Sequence, residues 1–193
     1  MREFSRRVVI DPGHGGVHPG AISRDGRMEK DGVLDIAFRV KQLLVADGFC
    51  EVIMTRSEDT HISLLDRCRL ANKAHASAFI SIHMNSCARH LKPPKGVEVY
   101  GYGTDSALAK CIHRGLIETM RPTPIDRGVR NASKYTTICK TSMPSVVVEC
   151  GFINNPEEVE LLWDNTYRQL IAKGIAEGIR VFLHEKSVSE LSI

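Results

Sequence analysis

Apolar positions along the chain fall into two alternating kinds of segment. Short runs rich in β-branched residues, at Arg7 to Asp11, Cys50 to Thr55, Phe79 to His83, Val97 to Tyr102, Thr136 to Cys139 and Ser145 to Cys150, predict strands. Between them lie longer stretches of helical period. From Val33 to Ala46 the residues Leu34, Ile36, Ala37, Val40, Leu43 and Leu44 mark one helix face, and Gly48 supplies a stop. A second helix begins after Ser63, with Leu64, Leu65, Cys68, Leu70, Ala71 and Ala74 on its apolar side. The third runs from about Ser106 to Met120 and is closed by Arg121-Pro122. Pro156 opens a shorter one, capped by Asn155 and favoured by Glu157 and Glu158 at its positive end. Tyr167 to His184 forms the last. This alternation predicts an α/β layer fold with a largely parallel sheet.

Composition narrows the class without naming a function. A chain of 193 residues, 42% apolar and 25% charged, suits one globular domain, and no repeat or low-complexity segment divides it. Leu91-Lys92-Pro93-Pro94 is the only proline-rich spot, and residues 186–193 read as a frayed tail or linker stump. No apolar run approaches the roughly 20 residues of a membrane span, so no integral membrane association is expected. The basic opening, Met1 to Arg7, meets Val8 without the apolar stretch of a secretory signal, and synthesis in the cytoplasm is expected. A net charge of +3, from 26 basic and 23 acidic residues without blocks, gives a nucleic acid little to hold. Cys50, Cys68, Cys87, Cys111, Cys139 and Cys150 form no CxxC pair and are expected as reduced, mostly buried thiols.

Three strand candidates end in residues able to bind metal or move protons: Asp11-Pro12-Gly13-His14-Gly15-Gly16, His83-Met84-Asn85 and Glu149-Cys150-Gly151. In an open parallel sheet the carboxyl ends of the strands share one edge, where such folds place their sites. A single strand-end histidine is most often just a hydrogen-bonded residue; two of them and a glutamate in equivalent positions point to a site. The glycines around His14 let backbone approach whatever it holds, but they lack the spacing and lysine of a phosphate cradle.

Taken together, several blocks resemble one family. These are Val8 to Gly16 followed by Pro19-Gly20-Ala21, Glu29-Lys30-Asp31, Thr55-Arg56, Leu65 through Arg67 to Ala71-Asn72, and Ser81 to Asn85. Arg127-Gly128-Val129, Met143-Pro144 and Val148 to Pro156 continue the series. In this order and at these intervals the chain is similar to the zinc-dependent N-acetylmuramoyl-L-alanine amidases, over nearly its whole length. The resemblance implies a mainly parallel twisted sheet of about six strands flanked by helices on both faces, a catalytic domain over residues 1–185, and one zinc ion at the carboxyl edge.

Carried over residue by residue, the zinc ligands would be His14, Glu29 and His83, and the catalytic carboxylate Glu149. Periodicity and strand-end position do not single out Glu29, which sits in the charged run Arg24 to Asp31. Three N or O ligands leave a fourth position of a tetrahedral zinc open, as in hydrolytic sites. Burial after three valines would raise the pKa of Glu149 and a nearby zinc would lower it. Asn85 falls on the same side of an extended strand as His83 and reads either as a contact to substrate or site, or as a turn residue. Arg127 reads either as a fork for a peptide carboxylate or as a solvated turn. His18, His61, His75, His90, His113 and His184 are given structural roles.

The activity so implied is hydrolysis of the amide between N-acetylmuramic acid and L-alanine in peptidoglycan. The alternatives are a zinc-bearing peptidoglycan-binding module without turnover, and a zinc peptidase acting on another amide. Some members of the family carry an inserted helix that blocks the zinc site, whereas only ten residues, 86 to 95, separate Asn85 from Gly96 here. The expectation is a constitutively open endolysin or autolysin, favoured as a monomer, that reaches the wall after release or lysis.

Overall fold

Six strands join in one sheet in the order β2-β1-β3-β6-β4-β5. They are β1 (Arg7–Pro12), β2 (Glu51–Met54), β3 (Ala78–Asn85), β4 (Val97–Gly101), β5 (Asp126–Asn131) and β6 (Ser145–Phe152). Pairings β1 with β2, β1 with β3, and β3 with β6 are parallel. β4 runs antiparallel to β6 and parallel to β5, so the last two strands of the sheet are reversed. The helices are α1 (Glu29–Val45), α2 (Leu64–Lys73), α3 (Ala107–Thr119), α4 (Thr136–Cys139), α5 (Pro156–Trp163) and α6 (Asn165–Leu191). The computed structural model describes residues 6–46, 48–87 and 94–191, with side chains to residue 186. His90, the stretch Leu91-Lys92-Pro93 and the first five residues lie outside the described residues.

The α/β class and the mainly parallel six-stranded sheet are as expected, but one strand is not where β-branched content put it. Thr136-Thr137-Ile138-Cys139 is the short helix α4, with Thr137 and Ile138 buried. Ile138 packs with Ala132 and Val147 against the sheet, and that contact overrides a local preference worth little by itself. The sixth strand is β5, Asp-Arg-Gly-Val-Arg-Asn, an edge strand whose outer side faces water and so shows no apolar alternation. Helix α1 starts four residues before the apolar period does, at Glu29, and α6 runs on to Leu191. Ser63 and Asn155 cap α2 and α5 as their sequences predict. All six cysteines are thiols; Cys68, Cys111 and Cys150 are buried and Cys139 is exposed. Among the described residues no helix is long and apolar enough to cross a membrane.

The two-residue period of the strands sorts their side chains between two unequal layers. Val8, Ile10, Ile80, Ile82, Val146 and Val148 face a thick layer of α1, α3, α5 and α6, which forms the main core. The alternate residues Val9 and Phe79 meet α2, while Val147 meets the segment around α4. This second layer is thin, and toward the carboxyl ends of β1, β3 and β6 it gives way to the polar positions Asp11, Ser81, His83 and Glu149. The chain leaves β1 for α1 on the thick side and reaches β3 from α2 on the thin side, so β1 and β3 flank the point where the winding reverses.

At that point a buried ion pair fixes the loop after β1. Arg67 is 2% exposed and Asp11 1% exposed. Arg67 Nη1 lies 2.6 Å from Asp11 Oδ1, and Asp11 also accepts from Thr55 Oγ1 at 2.5 Å and Ser81 Oγ at 2.6 Å. The same guanidinium donates to the carbonyls of Pro12 and His14, at 2.7 and 2.6 Å. Removing one member of such a pair strands the other charge in the interior, which costs about 3–5 kcal/mol. Arg67→Met is therefore expected to lower the unfolding free energy by about that amount, and adding Asp11→Asn should recover part of it. Urea unfolding of the wild type and the two variants checks both statements.

Candidate functional site

Between β1 and α1 the backbone makes a loop that holds His14 in a conformation side chains rarely adopt, with φ of 58°. Arg67 holds its carbonyl, and Arg56 donates to the carbonyls of Pro12 at 3.1 Å and Gly13 at 2.8 Å. Buried carbonyl groups are thus satisfied by guanidinium donors rather than by strand or helix partners. Gly13 is required here by close approach: a Cβ on it would stand 2.3 Å from the His83 ring.

Three side chains converge from three elements. Glu29 comes from the first turn of α1 and is 3% exposed, His14 from the loop, and His83 from β3. His14 Nε2 lies 3.1 Å from Glu29 Oε2, and His83 Nδ1 lies 2.9 Å from Glu29 Oε1. The two imidazoles meet edge to face with centroids 4.9 Å apart. One ligand-capable atom of each residue lies within 4.8 Å of the others, so the trio could hold a metal ion. Glu29 is itself oriented by backbone donors, Met84 N–H to Oε1 at 3.0 Å and Ala21 N–H to Oε2 at 2.9 Å. Burial alone would raise its pKa, but the hydrogen bonds to His14 and His83 outweigh that and hold it well below the usual carboxylate range. Burial disfavours a charged His83, yet Glu29, Glu149 and Asp11 together raise its pKa above the ordinary value.

The fourth residue stands opposite His83 across the β3–β6 ladder: His83 pairs with Glu149. Its Oε2 is buried and has no hydrogen-bond partner. Burial pushes the Glu149 pKa up; His83 opposes the rise, Glu29 and Glu98 add to it, and the result is about 7. One strand further, Glu98 is in register with Glu149 on the antiparallel side. Glu98 is 3% exposed and gathers four groups: Asn85 Nδ2 at 2.6 Å, the Tyr100 hydroxyl at 3.1 Å, and the Nε atoms of Arg127 at 3.1 Å and Arg130 at 3.6 Å.

The structure thus brings His14, Glu29, His83 and Glu149 to one place. It brings Asn85 and Arg127 to Glu98 beside them, in β3 and β5 rather than in turns. Glu98 itself is missed by sequence reasoning, although a signal exists: an acid between Val97 and Val99 in an apolar strand must face the opposite layer from both. Two hollows open on the site. One, of about 300 Å³, is walled by His18, His61, Ile62 and Leu64; the other, of about 340 Å³, by Lys134, Tyr135, Thr136 and Glu149. Leu64 and His83 belong to both.

Comparison with known proteins gives this arrangement a family. The sequence profile described as N-acetylmuramoyl-L-alanine amidase matches residues 8–181. An endolysin of Bacillus phage SPP1 is 36% identical, over 96% of this chain and 69% of its own length. The N-acetylmuramoyl-L-alanine amidase AmiA of Escherichia coli (strain K12) is 33% identical, over 93% of this chain and 76% of its own. Among solved structures, N-acetylmuramoyl-L-alanine amidase AmiC2 of Nostoc punctiforme superposes with a TM-score of 0.87 at 36% identity, covering 93% of this chain and 98% of that one. Matched by the family profile over residues 8–181 and by relatives over more than nine-tenths of its length, the chain belongs to the N-acetylmuramoyl-L-alanine amidase family.

Proposed function

We propose that the protein hydrolyses the amide between the lactyl group of N-acetylmuramic acid and the L-alanine of the peptidoglycan stem peptide, with His14, Glu29 and His83 holding one zinc ion and Glu149 moving the proton. The observation that carries this reading is the convergence of the three ligand-type side chains beside a buried carboxylate oxygen without a partner. Two imidazoles and one carboxylate are a donor set that zinc accepts in hydrolytic sites, leaving a position open. The fit extends to electrostatics, because a cation held by His14, Glu29 and His83 would offset the negative charge of the nearby Glu149 carboxylate and lower its pKa.

Zinc, when bound, supplies an electrophile that polarises a carbonyl and acidifies water. The chain supplies the rest. Glu149, whose burial makes its carboxylate more basic than an exposed one, would accept a proton from the attacking water and return it to the departing amine. Arg56, Arg67 and the backbone donors on Glu29 keep the ligand atoms in place before substrate arrives.

A constitutively open lytic enzyme, an endolysin or autolysin that meets the wall after release or lysis, is part of the proposal. Support comes from the ten-residue connection between Asn85 and Gly96, which leaves little chain to cover the site. The similarity to a phage endolysin agrees with it. Residues 88–93 of that connection lie outside the described residues.

Purified protein supplied with zinc is expected to release muropeptides whose new amino terminus is L-alanine, read by mass spectrometry, and chelation should stop the release until zinc is returned. Binding without cleavage, or a different new terminus, would exclude the proposed activity. Glu149→Gln should retain zinc, measured by elemental analysis, and lose about two to four orders of magnitude in rate, the range for a positioned acid-base group.

The raised pKa of Glu149 also links stability to pH. In metal-free protein the folded state holds the Glu149 proton more tightly than the unfolded state does, so this carboxyl favours folding least above pH 7. Its contribution is lost as pH rises from the ordinary carboxylate value of 4.5 to about 7. Relative to wild type, Glu149→Gln should gain stability across that window, by up to about 3 kcal/mol. Denaturant unfolding of both proteins in chelator at several pH values reads the difference; a flat difference would remove the unsatisfied carboxylate from the account.

A further inference from the structure

An amide has two unlike sides, and the site has two unlike hollows. If the amidase reading holds, on which this inference rests, one side of the scissile bond is the uncharged lactyl-sugar portion and the other is a peptide bearing carboxylates. The nitrogen that leaves belongs to the peptide. In hydrolysis the water oxygen bonds to the carbonyl carbon, the C–N bond breaks, and the proton taken from water passes through Glu149 to that nitrogen. The peptide must therefore lie on the Glu149 side. Glu149 lines the hollow with Lys134 and Tyr135, and is not part of the hollow with His18 and His61.

Charge points the same way, independently of the proton's route. Lys134 is exposed, lines the Glu149 hollow, and has no hydrogen bond or ion pair among the described residues. Two strands beyond β6, on β5 and outside the lining of that hollow, Arg127 and Arg130 both touch the buried Glu98 through Nε. That leaves the terminal Nη groups of both without a protein acceptor among the described residues, while the Arg127 guanidinium rests 5.0 Å from the Phe152 ring centroid. Lys134 in the hollow and the two arginines beyond it put cationic groups on the Glu149 side of the site, with forked donors of the arginines unused. The opposite hollow has a different character. Its cation, Arg67, is buried and spent on Asp11, and its open walls are Ile62, Leu64 and the imidazoles of His18 and His61, with centroids 4.3 Å apart. Rings and aliphatic walls suit the C–H faces of a sugar better than an anion.

We propose that substrate crosses the site in one polarity: the acidic stem peptide lies in the hollow of Lys134, with Lys134, Arg127 and Arg130 reading its carboxylates, and the lactyl-sugar side lies over His18 and His61. The three cations are then specificity-determining residues, held by Glu98, which acts as a positioning residue for the two arginines.

The test compares an N-acetylmuramoyl tripeptide whose carboxylates are free with the same compound carrying carboxamides in their place, using the full zinc-loaded chain. Wild type should prefer the acid, and the preference should shrink at high salt. Lys134→Ala combined with Arg130→Gln should lower the acid-to-amide ratio of kcat/KM by roughly tenfold, mostly through KM, the loss expected of one charge-assisted hydrogen bond. Exposed Lys134→Glu alone should push the ratio below that of Lys134→Ala. His61→Ala should leave that ratio unchanged and instead alter the ratio between monosaccharide and disaccharide substrates. A wild type indifferent to amidation, a ratio unmoved by the Lys134 and Arg130 changes, or a ratio set by His61 would overturn the assigned polarity. Failure of wild type to cleave any muropeptide would instead overturn the amidase reading, a separate and distinguishable result.

Discussion

Two guanidinium groups buried behind the loop after β1 are what the site depends on. Arg56 and Arg67 between them take the carbonyls of Pro12, Gly13 and His14, and Arg67 neutralises Asp11 at the end of the strand. Without those donors the loop would carry unsatisfied buried carbonyls, and nothing would hold His14 at a positive φ. With them, a glycine-rich segment that sequence alone would make pliable becomes as fixed as the strand it leaves. Glu29 and His83 then meet His14 without any of the three moving, because Glu29 stands on a helix and His83 on a strand of the same packed sheet.

Three glutamates lie along this edge, and each receives a different set of donors. Glu29 accepts from two imidazoles and two backbone N–H groups and stays ionised. Glu98 is surrounded by two arginines, an amide and a phenol. Glu149, placed between them by strand register, has an oxygen that nothing satisfies and a pKa near neutrality. On the proposed mechanism a ligand, an anchor and a proton carrier arise from the same residue type, separated by the donors each receives.

Much of this was legible in the sequence, for identifiable reasons. His14, His83 and Glu149 end strands with strong β-branched patterns, so their shared edge follows from the parallel order of a sheet that periodicity already predicts. Glu29 gave no such signal: it lies in a charged run, and its helix begins before the apolar period does because the first turn faces the site instead of the core. Only resemblance to the amidases placed it. Thr136 to Cys139 predicts a strand because its residues are strand-like, although packing holds them in a helical turn, and β5 predicts no element because it is a polar edge strand. The turn alternative for Arg127 has a related cause: Gly128, at φ 78°, lies within a strand whose register with β4 is irregular.

The reversed pair β4 and β5 gives the edge its asymmetry. In a wholly parallel sheet the strand after β6 would present another carboxyl end and another loop to the site. Here β4 runs the other way, so Glu149 is flanked by the body of a strand, and Glu98 can sit opposite it in register. The parallel partner β5 follows with Arg127 and Arg130, three residues apart yet both reaching the same carboxylate across the irregular register. On the β1 side the chain departs in loops, and the hollow there is walled by residues of those loops and the start of α2. One side of the site is therefore rigid, charged and built on strands, and the other is formed by loop histidines and aliphatic side chains. A topology that reverses two strands is what gives the two sides of the His14, Glu29 and His83 cluster their different character.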